Sequence, residues 1–169
     1  MIVHIGSIKT GVSILDRNAD EVVRVLGETT MIALSNEASL PRLLLVDEDP
    51  AVRESLGEVL GAVAEVETCP SAESAVFRIE RKSYDIVVTG FELPGMNGAE
   101  LLSAVNEQEP EIAGLLLTTS DDYSGGKRRT KHRVLLRPVE PGRLCATVKQ
   151  LAAIVRMKRT VNQIRGSAR

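Results

Sequence analysis

From Arg42 onward the chain alternates short apolar runs with amphipathic stretches, and this alternation constrains the fold more than any other feature. The runs are Leu43 to Val46, Ala64 to Thr68, Asp85 to Thr89, Leu115 to Thr119 and Val134 to Leu136. The stretches between and after them repeat apolar residues at helical spacing. They carry Val52, Leu56, Val59 and Leu60; then Ala72, Ala75, Val76 and Ile79; then Leu101, Leu102 and Val105; and last Leu144, Val148, Leu151 and Val155. Four of the five runs are apolar on both sides. Strands of that kind belong to parallel sheets covered by helices. The pattern predicts an α/β fold: a doubly wound, open five-stranded parallel sheet with helices on both faces.

Local signals place the element ends. Asp49 suits a helix cap, Pro50 the first helical position and Gly61 the stop. Ser71 can cap the next helix, and LPGMNG from Leu93 to Gly98 reads as a turn. The last helix starts near Pro141, and its packed stripe should end near Met157. The main domain is therefore expected over 41–157, with a basic helical tail over 158–169. Residues 1–40 fall outside the pattern. Asn18 and Glu21 can form a capping box for a short helix through Val22, Val23 and Leu26. Ile2 to Ile5 and Thr30 to Leu34 can be strands. This N-terminal extension is too short for a core of its own, so it either docks on the main domain or is loosely ordered.

Composition narrows the function classes. With 43% hydrophobic and 26% charged residues the chain is not a disordered one. Aromatics are only 2%, with no Trp, so stacking platforms for single-stranded nucleic acid lack their usual residues. Cys69 and Cys145 form no ligand-spaced cluster and suggest a reducing compartment, so a cytoplasmic location is expected. Both are expected to be ordinary half-buried thiols. No apolar run approaches the ~20 residues of a membrane span, and the N-terminus lacks a signal-peptide pattern. The net charge of −2 hides a split. Residues 1–122 sum to −14, whereas residues 123–169 hold 13 Lys/Arg and a single acid, Glu140, for +12. Asymmetry of this kind marks either an interaction surface or two solvated faces of one domain.

In an open α/β sheet the ligand site lies at the carboxyl ends of the strands. Those ends read Asp47-Glu48-Asp49, Thr89-Gly90, Thr118-Thr119 and Arg137-Pro138. The fold thus gathers carboxylates, a hydroxyl and a guanidinium. Paired carboxylates without an adjacent His or Cys suit a hard cation such as Mg²⁺, and a cation beside a hydroxyl suits a phosphoryl group.

With these residues in view, 42–155 resembles the receiver domain of two-component response regulators. The motifs are LLLVDEDPAVRESL, SYDIVVTGFELPGMNGAELL, LLLTTS and VLLRPVEPGRL. The resemblance implies a flavodoxin-like sheet of order 2-1-3-4-5 and a role in phosphorelay signal transduction of bacterial type. In that family an Asp ending strand three accepts a phosphoryl group, an acidic pair on strand one holds Mg²⁺, and a Thr/Ser and a Lys contact the phosphoryl group. By position, Asp47 and Glu48 match the acidic pair, Thr118 the hydroxyl, and Arg137 with Pro138 the Lys and its neighbour. The acceptor position is Gly90, which has no side chain to phosphorylate. The family's aromatic switch residue is replaced by Val134.

These departures imply a degenerate, phosphorylation-independent receiver, a protein-interaction module and not an enzyme. Without a carboxylate at 90, Mg²⁺ binding by Asp47 and Glu48 should be weak or lost, and no cofactor is expected. Arg137, a planar and permanent cation, should pair with Asp47 or Glu48 and close the pocket without metal. The plainer alternative is that the acidic pair caps the first helix and that Thr118 is a packed strand-end residue. Thr89, on the opposite face, and Glu92, two residues on, are poor substitute acceptors. The alternative is residual, atypical Mg²⁺ or phosphate sensing. A hydrolase built on Asp47 and Glu48 lacks a positioned nucleophile–base pair.

The basic segment GGKRRTKHR replaces what the family usually builds as its helix between strands four and five. Its two glycines predict an irregular or frayed course. Lys127, Arg128, Arg129, Lys131 and Arg133 should make the output face basic, with His132 on the surface. An acidic protein is the partner expected first; nucleic acid or a cyclic dinucleotide are the alternatives, and sequence-specific reading has no motif to carry it. Like charges disfavour a two-fold contact across this face, so a monomer, or a dimer through another face, is expected.

Overall fold

The computed structural model describes residues 39–119 and 132–167. The expected helix and strands of the N-terminal extension, and Lys127, Arg128, Arg129 and Lys131 of the basic segment, lie outside the described residues.

Five strands, β1 (Arg42–Val46), β2 (Glu65–Cys69), β3 (Ile86–Gly90), β4 (Ala113–Thr118) and β5 (Arg133–Leu136), form one sheet in the order β2-β1-β3-β4-β5. Every pairing in it is parallel. Parallel neighbours need long crossovers, and helices supply them. They are α1 (Pro50–Gly61), α2 (Ala72–Ile79) and α3 (Gly98–Gln108), with α4 (Pro141–Ser167) following the last strand.

Alternation along each strand divides the core in two. Leu43, Leu45, Ile86, Val88, Leu115 and Leu117 face Leu60 of α1 and Leu144, Val148 and Leu151 of α4. Leu44, Val46, Val87 and Leu116 face Ala72 and Ala75 of α2 and Leu101, Leu102 and Val105 of α3. The central strands β1, β3 and β4 are thus buried on both sides. The fifth run departs from the expectation of burial on both faces. β5 lies at the sheet edge, where Leu135 is buried but Leu136 is 45% exposed.

The first two helix starts follow their sequence signals. Asp49 caps α1 by accepting the Ala51 N–H at 2.8 Å, with Pro50 next. Ser71 caps α2 by accepting from the Ser74 N–H. Asn97 and Glu100 form a reciprocal capping box on α3. α1 stops at Gly61, as expected, and Ala62 caps it in right-handed geometry. Gly98 has a packing role. A Cβ there would stand 1.9 Å from the Gly90 carbonyl oxygen, so only glycine lets α3 start this close to β3.

α4 passes 157/158 without a break and continues to Ser167. Apolar burial on it ends at Val155, but polar anchoring runs further. Arg159 donates to Asp85 and, at 3.3 Å, to the Tyr84 carbonyl, while Asn162 donates to Glu111 at 2.7 Å. His132, expected on the surface, is half-buried beside Gly114, where its Cβ lies within 3.3 Å of the glycine's would-be side chain. Cys69 is buried and Cys145 half-buried; both are free thiols.

Candidate functional site

The carboxyl ends of β1, β3 and β5 converge on one ion pair. Asp47, directly after β1, is 4% exposed. Its Oδ2 accepts from Arg137 Nη2 at 2.5 Å, and its Oδ1 accepts the Asp49 N–H at 3.1 Å. Both carboxylate oxygens are therefore engaged within the domain. Arg137 follows β5, and its N–H donates to the Thr118 carbonyl at 2.7 Å, which ties it to the end of β4. The bond from Arg137 to Pro138 is cis.

Gly90 lies under this pair. A Cβ at position 90 would stand 2.8 Å from Asp47 Oδ2 and 3.6 Å from Arg137 Nη2. Real Cβ atoms essentially never reach the first distance. The absence of a side chain at 90 is thus what gives the carboxylate and the guanidinium room to meet. The expected pairing of Arg137 with one member of the acidic pair is present, and its partner is Asp47.

Glu48 does not join. It is exposed, and only its carbonyl is engaged, accepting from Arg53 Nη1 at 2.9 Å. The same Arg53 nitrogen donates to the Asp47 carbonyl at 2.7 Å, so the first turn of α1 grips the strand end from behind. Arg53 is a positioning residue that sequence reasoning does not find, because its spacing resembles that of any surface arginine on a helix. Asp49, not Asp47 or Glu48, is the residue that caps α1.

Thr118 is 2% exposed at the end of β4. Thr89 is fully buried and donates its hydroxyl to the Gly90 carbonyl at 2.9 Å. Glu92 and Pro138 are exposed, and Val134, at the switch position, is half-buried among the α2–α3 core. Arg133 is exposed and donates to Gln150 at 2.6 Å.

A family model for the response regulator receiver domain matches residues 43–149. The chain belongs to the response regulator receiver family. An uncharacterised response regulatory protein of Yersinia pestis is 29% identical over 128 residues, covering 73% of this chain and 53% of that protein. The hydrogenase transcriptional regulatory protein HoxA of Cupriavidus necator is 29% identical over 112 residues, or 64% of this chain and 23% of its own length. The chain spans about half the length, or less, of these curated relatives. Among solved structures, a CheY-like receiver domain protein from Methanospirillum hungatei superposes with a TM-score of 0.65 at 26% identity, covering 71% of this chain and 99% of that one. A signal receiver domain from Pseudomonas fluorescens shares the fold at a TM-score of 0.67 and 23% identity, over 72% of this chain and 93% of that one.

The divalent cation of the receiver family does not fit the residues present. Among the described residues no three His, Cys, Asp or Glu side chains are placed to hold a metal ion. One oxygen of Asp47 is taken by Arg137, Glu48 is exposed, and the third ligand position is glycine. Among the described residues no helix of this receiver is long and apolar enough to cross a membrane.

A second polar cluster lies away from this pocket, between β2 and α2. Glu67 accepts from Lys82 at 2.8 Å, Arg78 at 3.1 Å and the Tyr84 hydroxyl at 2.9 Å. The Lys82 hydrogen bond is the main reason its carboxyl lies below the usual range; burial opposes it, and Tyr84 and the charges of Lys82 and Arg78 add to it. Burial, then the bond to Glu67, pushes the Tyr84 hydroxyl up. Burial pushes the Cys69 thiol up to about 11, which keeps it protonated and inert.

Proposed function

We propose that this receiver is a phosphorylation-independent interaction module, operating in cytoplasmic two-component signalling and held in one state by an internal ion pair. The observation that carries this reading is the Asp47–Arg137 pair closed over Gly90. Phosphoryl transfer to a receiver makes a mixed anhydride with a carboxylate, and position 90 offers none. The carboxylate next to it, Asp47, is buried and spent on Arg137 and on the Asp49 N–H. The Thr89 hydroxyl is turned into the backbone, and Glu92 is exposed to solvent.

An Arg in this place also differs from a Lys in kind. Its guanidinium cannot lose its proton, so its Nη2 contact with Asp47 balances that carboxylate without an added cation. The basic C-terminal third is then the part of the chain with a net positive charge. From Arg133 to the end of α4 it carries a single acid, Glu140, which supports an acidic protein as partner.

The test is the full chain incubated with acetyl phosphate and Mg²⁺ and read by intact mass. The expected result is no phosphoryl adduct. Stoichiometric labelling of any side chain overturns the reading and restores that of an atypical phosphate sensor.

A further inference from the structure

α4 is 27 residues long, about 40 Å, and outlasts the domain that it packs on. From the residue before its last buried apolar side chain, Val155, onward it carries an exposed row: Ile154 (37% exposed), Met157 (63%), Val161 (42%) and Ile164 (57%). The spacing of three, four and three residues is that of the a and d positions of a heptad. Large apolar residues scattered singly on a surface need no explanation, but a contiguous row at this spacing does. The row begins beyond residue 149, where the match to the receiver family ends.

The rotation of the helix is fixed. Arg159 is held by Asp85, the Tyr84 carbonyl and Glu111, and Asn162 is held by Glu111. These anchors lie on the face that continues Leu144, Val148, Leu151 and Val155. The exposed row is turned away from that face; at its start Ile154, with Lys158, borders a cavity lined by Ile112, His132 and Leu151, and from Met157 onward the row faces solvent.

Charge selects the occupant. α4 contains no Asp or Glu. Lys158 and Arg165 directly follow Met157 and Ile164, on the same flank of the row, and neither has an ion-pair partner among the described residues. A second copy of this helix cannot supply the missing carboxylates. Packed parallel, it would set Lys158 and Arg165 against Ala153 and Thr160; packed antiparallel, it would set cation against cation.

We propose that this row docks an amphipathic helix of a partner protein, with branched aliphatic residues on its apolar face and Asp or Glu beside them. The inference rests on the reading of the chain as an interaction module, and it names the surface and the chemistry of the partner.

The probe is a labelled synthetic helix of about three heptads, Leu at a and d and Glu at e and g, titrated with the full chain by fluorescence anisotropy. A control peptide carries Lys at e and g. The acidic peptide should saturate, and the Lys peptide should bind at least ~10-fold more weakly. The double variant Met157→Glu/Ile164→Glu should weaken the acidic peptide ~10-fold or more. Lys158→Glu/Arg165→Glu should reverse the preference between the two peptides. All four positions are exposed, so thermal melting should match that of the parent and certify the fold. Absence of saturation up to ~1 mM, or equal affinity for the two peptides, overturns the proposal. So does sedimentation as a dimer that Met157→Glu/Ile164→Glu dissolves, which would make a second copy the occupant. Acetyl phosphate labelling of the same samples reads the Asp47–Arg137 pocket alone, so failure of either reading is separable from failure of the other.

Discussion

Arg137→Ala should destabilise the domain by about 2 kcal/mol, because it strands a buried carboxylate. Removing one partner of a fully buried pair costs roughly 3–5 kcal/mol, chiefly through the charge left behind. Here Asp47 has a side chain only 6% exposed, but Arg137 is 28% exposed, so solvent screens part of the interaction and the cost falls below that range. Asp47 also keeps the Asp49 N–H, which leaves one of its oxygens satisfied in the variant. The converse change, Asp47→Asn, should cost less, about 1 kcal/mol, since the partly exposed guanidinium can turn to water. The double variant should cost less than the sum of the singles, with a coupling of about 1–2 kcal/mol. Urea denaturation of the four proteins at neutral pH gives the cycle. A thermal melt should show Arg137→Ala lower by roughly 5–10 °C. A cost below ~0.5 kcal/mol for Arg137→Ala, or strict additivity, would place the contact among surface ion pairs of no consequence and refute a pocket held by it.

Gly90→Asp alone should remain unlabelled by acetyl phosphate, because the new side chain is crowded by Asp47 Oδ2 at 2.8 Å and its carboxylate falls to Arg137; adding Arg137→Lys should give an adduct visible by intact mass. Gly98→Ala should lower stability by about 2 kcal/mol or more in urea, since its methyl group would overlap the Gly90 carbonyl oxygen. Glu67 titrates below the usual carboxylate range in the folded chain, so its contribution is present above the unfolded pKa and lost as pH falls through the folded one. Glu67→Gln should therefore be less stable than the parent at neutral pH, with the difference closing below about pH 5 in pH-resolved melts. Iodoacetamide at mildly alkaline pH should modify half-buried Cys145 well before Cys69, whose thiol is buried and pushed up to about 11; peptide mapping reads the order.

The sheet was legible because its information is local. Apolar residues at consecutive positions mark β1, β3 and β4, and Asp49, Pro50 and Ser71 mark helix starts through backbone groups only a few residues away. The residues of β5 do not by themselves reveal its edge position, since Val134 to Leu136 is as apolar as a central strand; only the order 2-1-3-4-5 that the resemblance implies puts it there and exposes Leu136. Residues of the site were legible by position at strand ends, but their division of labour was not. No motif assigns the roles of Arg53 or of the anchors at Asp85 and Glu111, because each acts on a partner brought near by packing rather than by sequence.

The sequence by itself determined a parallel sheet with its active edge at Asp47, Gly90, Thr118 and Arg137, since alternation and strand ends are properties of short segments. Tertiary structure alone decided that Asp47, not Glu48, meets Arg137. The two carboxylates are neighbours, but only one turns inward at the end of β1. Arg137 lies three strands away, about 14 Å at ordinary strand spacing. The two side chains span that gap by meeting over Gly90, where a Cβ would crowd the Asp47 carboxylate at 2.8 Å.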